Sequence, residues 1–166
     1  EASPVDGQTK TIEGIVVADF QDTTPEVAGS GDSPSTRTDN AANELNGYVV
    51  QEEDGDVDAD PNTSEGIFVF EGNNPSTPAV AVGDKVRVTG TVDEFGDSDA
   101  GSLTELVGPL TVVVVSSGNA LPTASSVDLP VAALSDYEKY ENMRVTFVDE
   151  LTVSEVFTLG RYGEIL

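Results

Sequence analysis

Residues 47–72 read GYVVQEEDGDVDADPNTSEGIFVFEG. Two short apolar runs, GYVVQE and GIFVFE, flank a loop crowded with carboxylates. Val, Ile, Tyr and Phe bounded by Gly, Asp and Pro are the composition of short β-strands. Between the runs, Asp54, Asp56, Asp58 and Asp60 take every second position and Glu65 closes the loop. Counted from Asp54, these carboxylates fall at positions 1, 3, 5, 7 and 12, the ligand spacing of a twelve-residue calcium loop. Carboxylates this close repel one another unless a cation or high salt screens them. Ca²⁺ in a structural role is therefore the candidate cofactor. Two features depart from a helix–loop–helix calcium site. Ala59 stands where such a loop has Gly, and the flanks are strands. The competing reading is a solvated acidic loop with no ordered ion. A catalytic metal is not expected, because no base or nucleophile system surrounds the loop.

Working outward, Gly47–Glu52 and Gly66–Glu71 are two of five expected strands. TIEGIVVADF, Thr11–Phe20, is the first. Its alternation is imperfect, which implies partial cover on both faces. Gly14 is a candidate bulge or bend. KVRVTGTVDEF, Lys85–Phe95, alternates cleanly, with Val86, Val88 and Val92 on one face and Lys85, Arg87, Thr89, Thr91 and Asp93 on the other. Leu103–Val107 is a brief strand, and Leu110–Ser116, LTVVVVS, is a continuous β-branched run expected to be the most buried. Gln21–Asn46 is a long polar loop of Gly, Ser, Thr, Asp and Pro, read as a solvated insertion. Five main strands with glycine bends predict an all-β chain with a small closed barrel over residues 9–117; a sandwich is the alternative. Residues 118–166 form a C-terminal extension. Ser117–Asp128 reads as linker, Ser135-Asp136-Tyr137-Glu138 has capping-box spacing before a short helix ending near Asn142, and Met143–Phe147 and Leu151–Phe157 read as strands. Tyr137 and Tyr140, three apart, are expected to anchor that helix to the barrel.

The 166 residues carry 31 acidic and 7 basic side chains, a net charge of −24. Such a chain repels a phosphate backbone at ordinary salt, so any nucleic-acid binding would be weak and salt-dependent. A saline habitat explains most of the charge; a cation-binding extracellular module is the other reading. There is no His and no Cys. Thiol nucleophiles, disulfides, His- or Cys-based zinc sites and imidazole acid–base schemes are excluded. No apolar run approaches the roughly 18 residues that span a membrane. The polar first residues, EASPVDGQTK, read as the start of a mature or trimmed chain.

Three stretches taken together, TIEGIVVADFQ, GYVVQEEDGDVDADPNTSEGIFVF, and VGDKVRVTGTVDEF followed by LTEL, resemble the OB-fold domain of bacterial and archaeal extracellular nucleases. ALPTASSVDLP, YENMRVTF and LTVSEVFTLGRYGEIL resemble the connection from that domain toward an endonuclease/exonuclease/phosphatase-type catalytic domain. The resemblance covers residues 9–166 apart from the insertion at 21–46. It implies a five-stranded OB-like barrel, secretion, a downstream catalytic domain in the same polypeptide, and a non-enzymatic role for this chain, since that family's catalysis needs His. OB barrels stack bases on strand aromatics with help from nearby cations. Tyr48, Phe68 and Phe70, with Lys85 and Arg87, are then the candidate nucleic-acid-binding residues; core packing and neutralisation of nearby carboxylates are the bland alternatives. Phe20 and Phe95 belong to the same set of strand aromatics. The functional expectation is an accessory domain that positions the catalytic domain or assists its substrate. The alternative is a calcium-stabilised extracellular spacer with no nucleic-acid role. An all-carboxylate hydrolase is a third, disfavoured reading.

Overall fold

The computed structural model describes residues 3–21, 45–72, 77–96 and 102–153. Five strands make the main sheet: β1 Thr9–Phe20, β2 Gly47–Gln51, β3 Gly66–Phe70, β4 Lys85–Phe95 and β5 Leu103–Ser116. They close in a ring in the order β1-β2-β3-β5-β4, and β4 returns to β1. β3 and β5 run parallel; the other pairs are antiparallel. The all-β expectation holds.

Closure depends on β1, which serves two neighbours. Its residues Thr9 to Ile15 pair with β4, and Ile15 to Phe20 pair with β2. Ile15 is the crossover, lying opposite both Lys85 and Gln51. Both faces are covered there, with Ile15 and Val16 fully buried. Gly14 pairs regularly with Val86, so it is not the bulge; the register slips further on, between Val16 and Ala18. What Gly14 permits is close approach: a Cβ there would lie 2.7 Å from the Gln51 carbonyl oxygen.

The ring interior is filled by Val16, Tyr48, Val50, Val69, Val80, Val86, Val88, Val92 and Leu106. β-Branched side chains suit the pleated surface, and each one buried contributes about 1.5–3 kcal/mol. β4 alternates as expected, with Val86, Val88 and Val92 inward. Two expectations for β5 fail. The two predicted strands are one, running through the Gly108–Pro109 peptide, which is cis. Thr89 pairs with Thr111 but Thr91 pairs with Val107, so extra β5 residues bulge opposite Gly90. Leu110 Cδ2 lies 2.7 Å from where a Gly90 Cβ would be. LTVVVVS is also not the most buried strand. Leu110, Val112 and Val114 are half-buried, whereas Val113 and Val115 are 50% and 47% exposed. A period of two sends alternate valines outward whatever their chemistry, and nothing covers that face among the described residues.

Beyond the ring, β6 Ser125–Val127 and β7 Val145–Phe147 pair in parallel, so the expected linker contains a strand. A short 3₁₀ helix spans Leu134–Tyr140. Its cap is Ala133 rather than Ser135: Ala133 N–H donates to Asp136 Oδ2 at 2.9 Å, so Asp136 supplies the third-position acceptor. Tyr137 and Tyr140 line a groove of about 330 Å³ with Val127, Met143, Val145 and Phe147, rather than packing into the ring. The expected strand Leu151–Phe157 is not formed over residues 151–153, and the rest of it lies outside the described residues, as do residues 22–44 of the polar insertion. Polar contacts join the extension to the ring. Arg144 N–H donates to Gln51 Oε1 at 2.9 Å, and Thr104 N–H donates to Glu141 Oε1 at 2.7 Å.

Candidate functional site

The acidic loop joins β2 to β3, and its carboxylates do not converge. Asp54 faces the C-terminal extension. Its two oxygens accept from Thr123 N–H at 2.7 Å and Thr123 Oγ1–H at 2.6 Å. Those two hydrogen bonds lower the Asp54 pKa. Asp58 Oδ1 accepts from Asp60 N–H at 2.7 Å, and Asp60 Oδ1 accepts from Asn62 N–H and Nδ2 at 3.0 Å. Both are Asx turns, in which a short carboxylate serves the backbone two residues on. Asp56 lies in a turn closed by its N–H to Glu53 O at 2.8 Å, and it is exposed. The two-residue spacing of Asp58 and Asp60 serves these turns. Among the described residues, no three or more acidic side chains group so as to hold a metal ion.

Glu65, the fifth predicted ligand, meets Glu52 instead. Its pKa is raised by burial first, then by a hydrogen bond with the Glu52 carboxyl and by the negative charges of Glu52 and Asp58. The neighbouring carboxylate makes it harder for Glu65 to ionise, which adds to the effect of burial. The two carboxyls open on a cavity of about 430 Å³ with Ile12, Val50 and Ile67 on its apolar side and Glu13, Glu138 and Glu141 also lining it. Burial, chiefly, raises the Glu141 pKa, against the Thr104 N–H bond that lowers it. A hydrogen-bonded carboxyl pair is closer than the roughly 5–9.5 Å separations of glycosidase carboxylates, so it fits neither hydrolytic geometry.

The predicted nucleic-acid set is not brought together. Tyr48 points into the ring at 0% exposure and Phe68 is 6% exposed, so neither ring presents a face for stacking. Phe70 is half-buried at the end of β3. Lys85 and Arg87 lie on β4, and β5 separates β4 from β3. Both cations are already engaged. Lys85 Nζ sits 3.0 Å from Glu13 and 2.6 Å from Glu53, and Arg87 Nε donates to Glu13 Oε2 at 2.8 Å. These hydrogen bonds raise the Lys85 pKa and lower that of Glu13.

Several polar residues were not visible as a group in the sequence. Gln21 Nε2 donates to both Glu71 oxygens at 2.9 and 2.8 Å, and its Oε1 accepts from Val80 N–H at 2.8 Å. Glu105 is 5% exposed, and burial, then the Asp93 charge, raises its pKa. The signal for Glu105 was available: LTELV places it between Leu103 and Val107 on one face of a strand. Nothing local signals the Asp54–Thr123 or Glu52–Glu65 contacts. No protein-family model, curated protein or solved structure matches the chain.

Proposed function

We propose that this chain is a non-catalytic, OB-like module of a secreted nuclease, and that it works by positioning a neighbouring catalytic domain of the same polypeptide rather than by gripping nucleic acid. The observation that carries the reading is the ring order β1-β2-β3-β5-β4 with β3 and β5 parallel. Small five-stranded Greek-key rings of this kind are the OB architecture, and the motifs resembling the nuclease family fall on its strands. The restriction to positioning follows from the charges. Lys85 and Arg87 are held by Glu13 and Glu53, and a net charge of −24 opposes a phosphate backbone.

A second reading, an extracellular spacer stabilised by calcium, is favoured by one specific feature. Glu65 lies beside Glu52, and a cation between the two carboxylates would relieve their mutual repulsion. Titration of single-stranded and duplex DNA against the chain, with and without millimolar Ca²⁺, separates the possibilities. The positioning role predicts no appreciable DNA binding by the chain alone, and lower nuclease activity when residues 9–117 are deleted from the full-length polypeptide. Full-length activity that survives the deletion overturns it. A melting temperature raised by Ca²⁺ beyond the effect of NaCl at equal ionic strength supports the spacer's bound ion.

A further inference from the structure

The second half of β5 is an edge strand. Residues 110–116 pair with β4, whereas β3 pairs with β5 only at Glu105 and Leu106. Among the described residues no strand lies along the other side of 110–116. An open edge presents unpaired N–H and C=O groups, and proteins blunt such edges with Lys, Pro, bulges or inward charges. No Lys, Pro or inward charge lies between Leu110 and Ser116, whose sequence is LTVVVVS. One bulge and Pro109 come just before it, and a second register slip is confined to its far end, at Val115 between the Val86–Val114 and Lys85–Ser116 pairs. Outward from the sheet, Thr111, Val113 and Val115 form a row of exposed β-branched side chains.

The charge distribution indicates what covers this edge. From Leu106 to Val127 the chain has no charged residue, although its net charge is −24. Across the sheet from Val113 stands Arg87, whose charge is matched by Glu13 on the next strand. The β5 edge is therefore where a second copy of the chain can approach without setting carboxylates against carboxylates. We propose that the free edge of β5, residues 110–116, pairs antiparallel with the same edge of a second copy about a two-fold axis, joining the two β1-β4-β5 sheets into one. A two-fold contact uses both edges and closes, so it yields a dimer and not a fibre. The outward valines of the two copies then meet as cross-strand pairs. Self-repulsion opposes this at low salt. The screening length shrinks from about 10 Å at 0.1 M to about 3 Å at 1 M, so the dimer strengthens with salt.

Sedimentation equilibrium of the chain in about 0.1 M and about 2 M NaCl reads the assembly directly. The expected result is a mass that moves to twice the monomer value at high salt. Val113→Asp and Val115→Asp, at half-exposed sites where folding is spared, should hold the chain monomeric, whereas Val57→Asp, at an exposed loop valine, should not. Because the native chain has no Cys, Val113→Cys offers a second readout: oxidation at high salt should give a covalent dimer, and Val57→Cys should not. A monomer at every salt overturns the proposal and leaves the edge to a strand from another protein. A dimer indifferent to the β5 substitutions, or assembly beyond two copies, overturns it as well.

Discussion

Removing the hydroxyl of Tyr48 should stabilise this protein. Among the described residues Tyr48 is the largest fully buried side chain, and its phenol oxygen has no hydrogen-bond partner there. A buried polar group left unsatisfied costs about 1–3 kcal/mol, because its bonds to water are lost and none replaces them. Tyr48→Phe keeps the ring and its packing among the core valines and removes only that cost. The expected gain is about 1–2 kcal/mol, the lower part of that range, because deleting the oxygen also forfeits its dispersion contacts with the core. At roughly 2–4 °C per kcal/mol for a chain of this size, the midpoint rises by about 2–8 °C. pH gives a second signature. Burial, then the charge of Glu71, holds the Tyr48 phenol well above its ordinary value. The native state therefore keeps a proton that the unfolded chain releases near pH 10, and stability falls as pH rises above about 10. The Tyr48→Phe variant lacks that share of the alkaline decline. Thermal melts of both proteins at neutral pH and above pH 10 test the two points together. A variant that melts at or below the parent at neutral pH refutes the reasoning, because it shows that the hydroxyl is satisfied in solution.

Three further outcomes follow from the same contacts. Glu65→Gln should raise the melting temperature at neutral pH and change little below about pH 4: the raised Glu65 pKa means that the folded state binds its proton more tightly, so stability is full below the ordinary value near 4.3 and is lost as pH rises. Equal melts at neutral pH would show that Glu65 is not strained by burial and by its neighbouring carboxylate. Asp54→Ala, which removes both acceptor oxygens, should release the Thr123 amide, seen as faster hydrogen exchange there; unchanged exchange in the variant would show that the contact is not formed in solution. Gly47→Ala should cost about 1–3 kcal/mol in urea unfolding, because the new methyl collides with the Val69 carbonyl oxygen, and a neutral result would mean that β2 and β3 are not so closely apposed.

The strands were legible wherever a side chain's neighbours lie two residues away. Val86, Val88 and Val92 declare β4 because inward and outward residues alternate without interruption. The double pairing of β1 at Ile15 was not legible, since an apolar stretch covered on both sides looks the same whether one partner follows another or both flank it together. Joining Leu103–Val107 to Leu110–Ser116 failed for a related reason: Gly-Pro reads as a break, yet here the bulge opposite Gly90 absorbs it. The candidate site was less legible than the fold. A spacing of two between Asp58 and Asp60 suits a cation and an Asx turn equally, and only the backbone path decides. Asp54 spends its oxygens on Thr123, which is distant in sequence and carries no mark of its role.

The fate of the carboxylates also explains how so acidic a chain holds a fold at all. A carboxylate is an acceptor with two oxygens, and here those oxygens are repeatedly given donors from remote segments. Asp54 takes Thr123; Glu141 takes the Thr104 amide; Glu71 takes Gln21; Glu94 takes the Ser3 amide at 2.8 Å and the Thr104 hydroxyl at 2.9 Å. Each such clip uses a negative charge to tie an end or a loop to the ring, and charge-assisted bonds of this kind are stronger than neutral ones. The clips do not respond to acid alike. Asp54 is lowered, and Glu94 is lowered too, although burial opposes it, because hydrogen bonds from Ser102, Ser3 and Thr104 outweigh that burial. Both therefore lose their stabilisation as pH falls. Glu65, Glu105 and Glu141 are raised, chiefly by burial, and gain as pH falls. With opposed contributions at the two ends of the carboxylate range, mild acid should strengthen the ring at Glu65 and Glu105 before stronger acid releases Ser3 and Thr123. Residue-resolved hydrogen exchange across the acid range would show that order, and loss of all protection in one step would show that the clips are not independent.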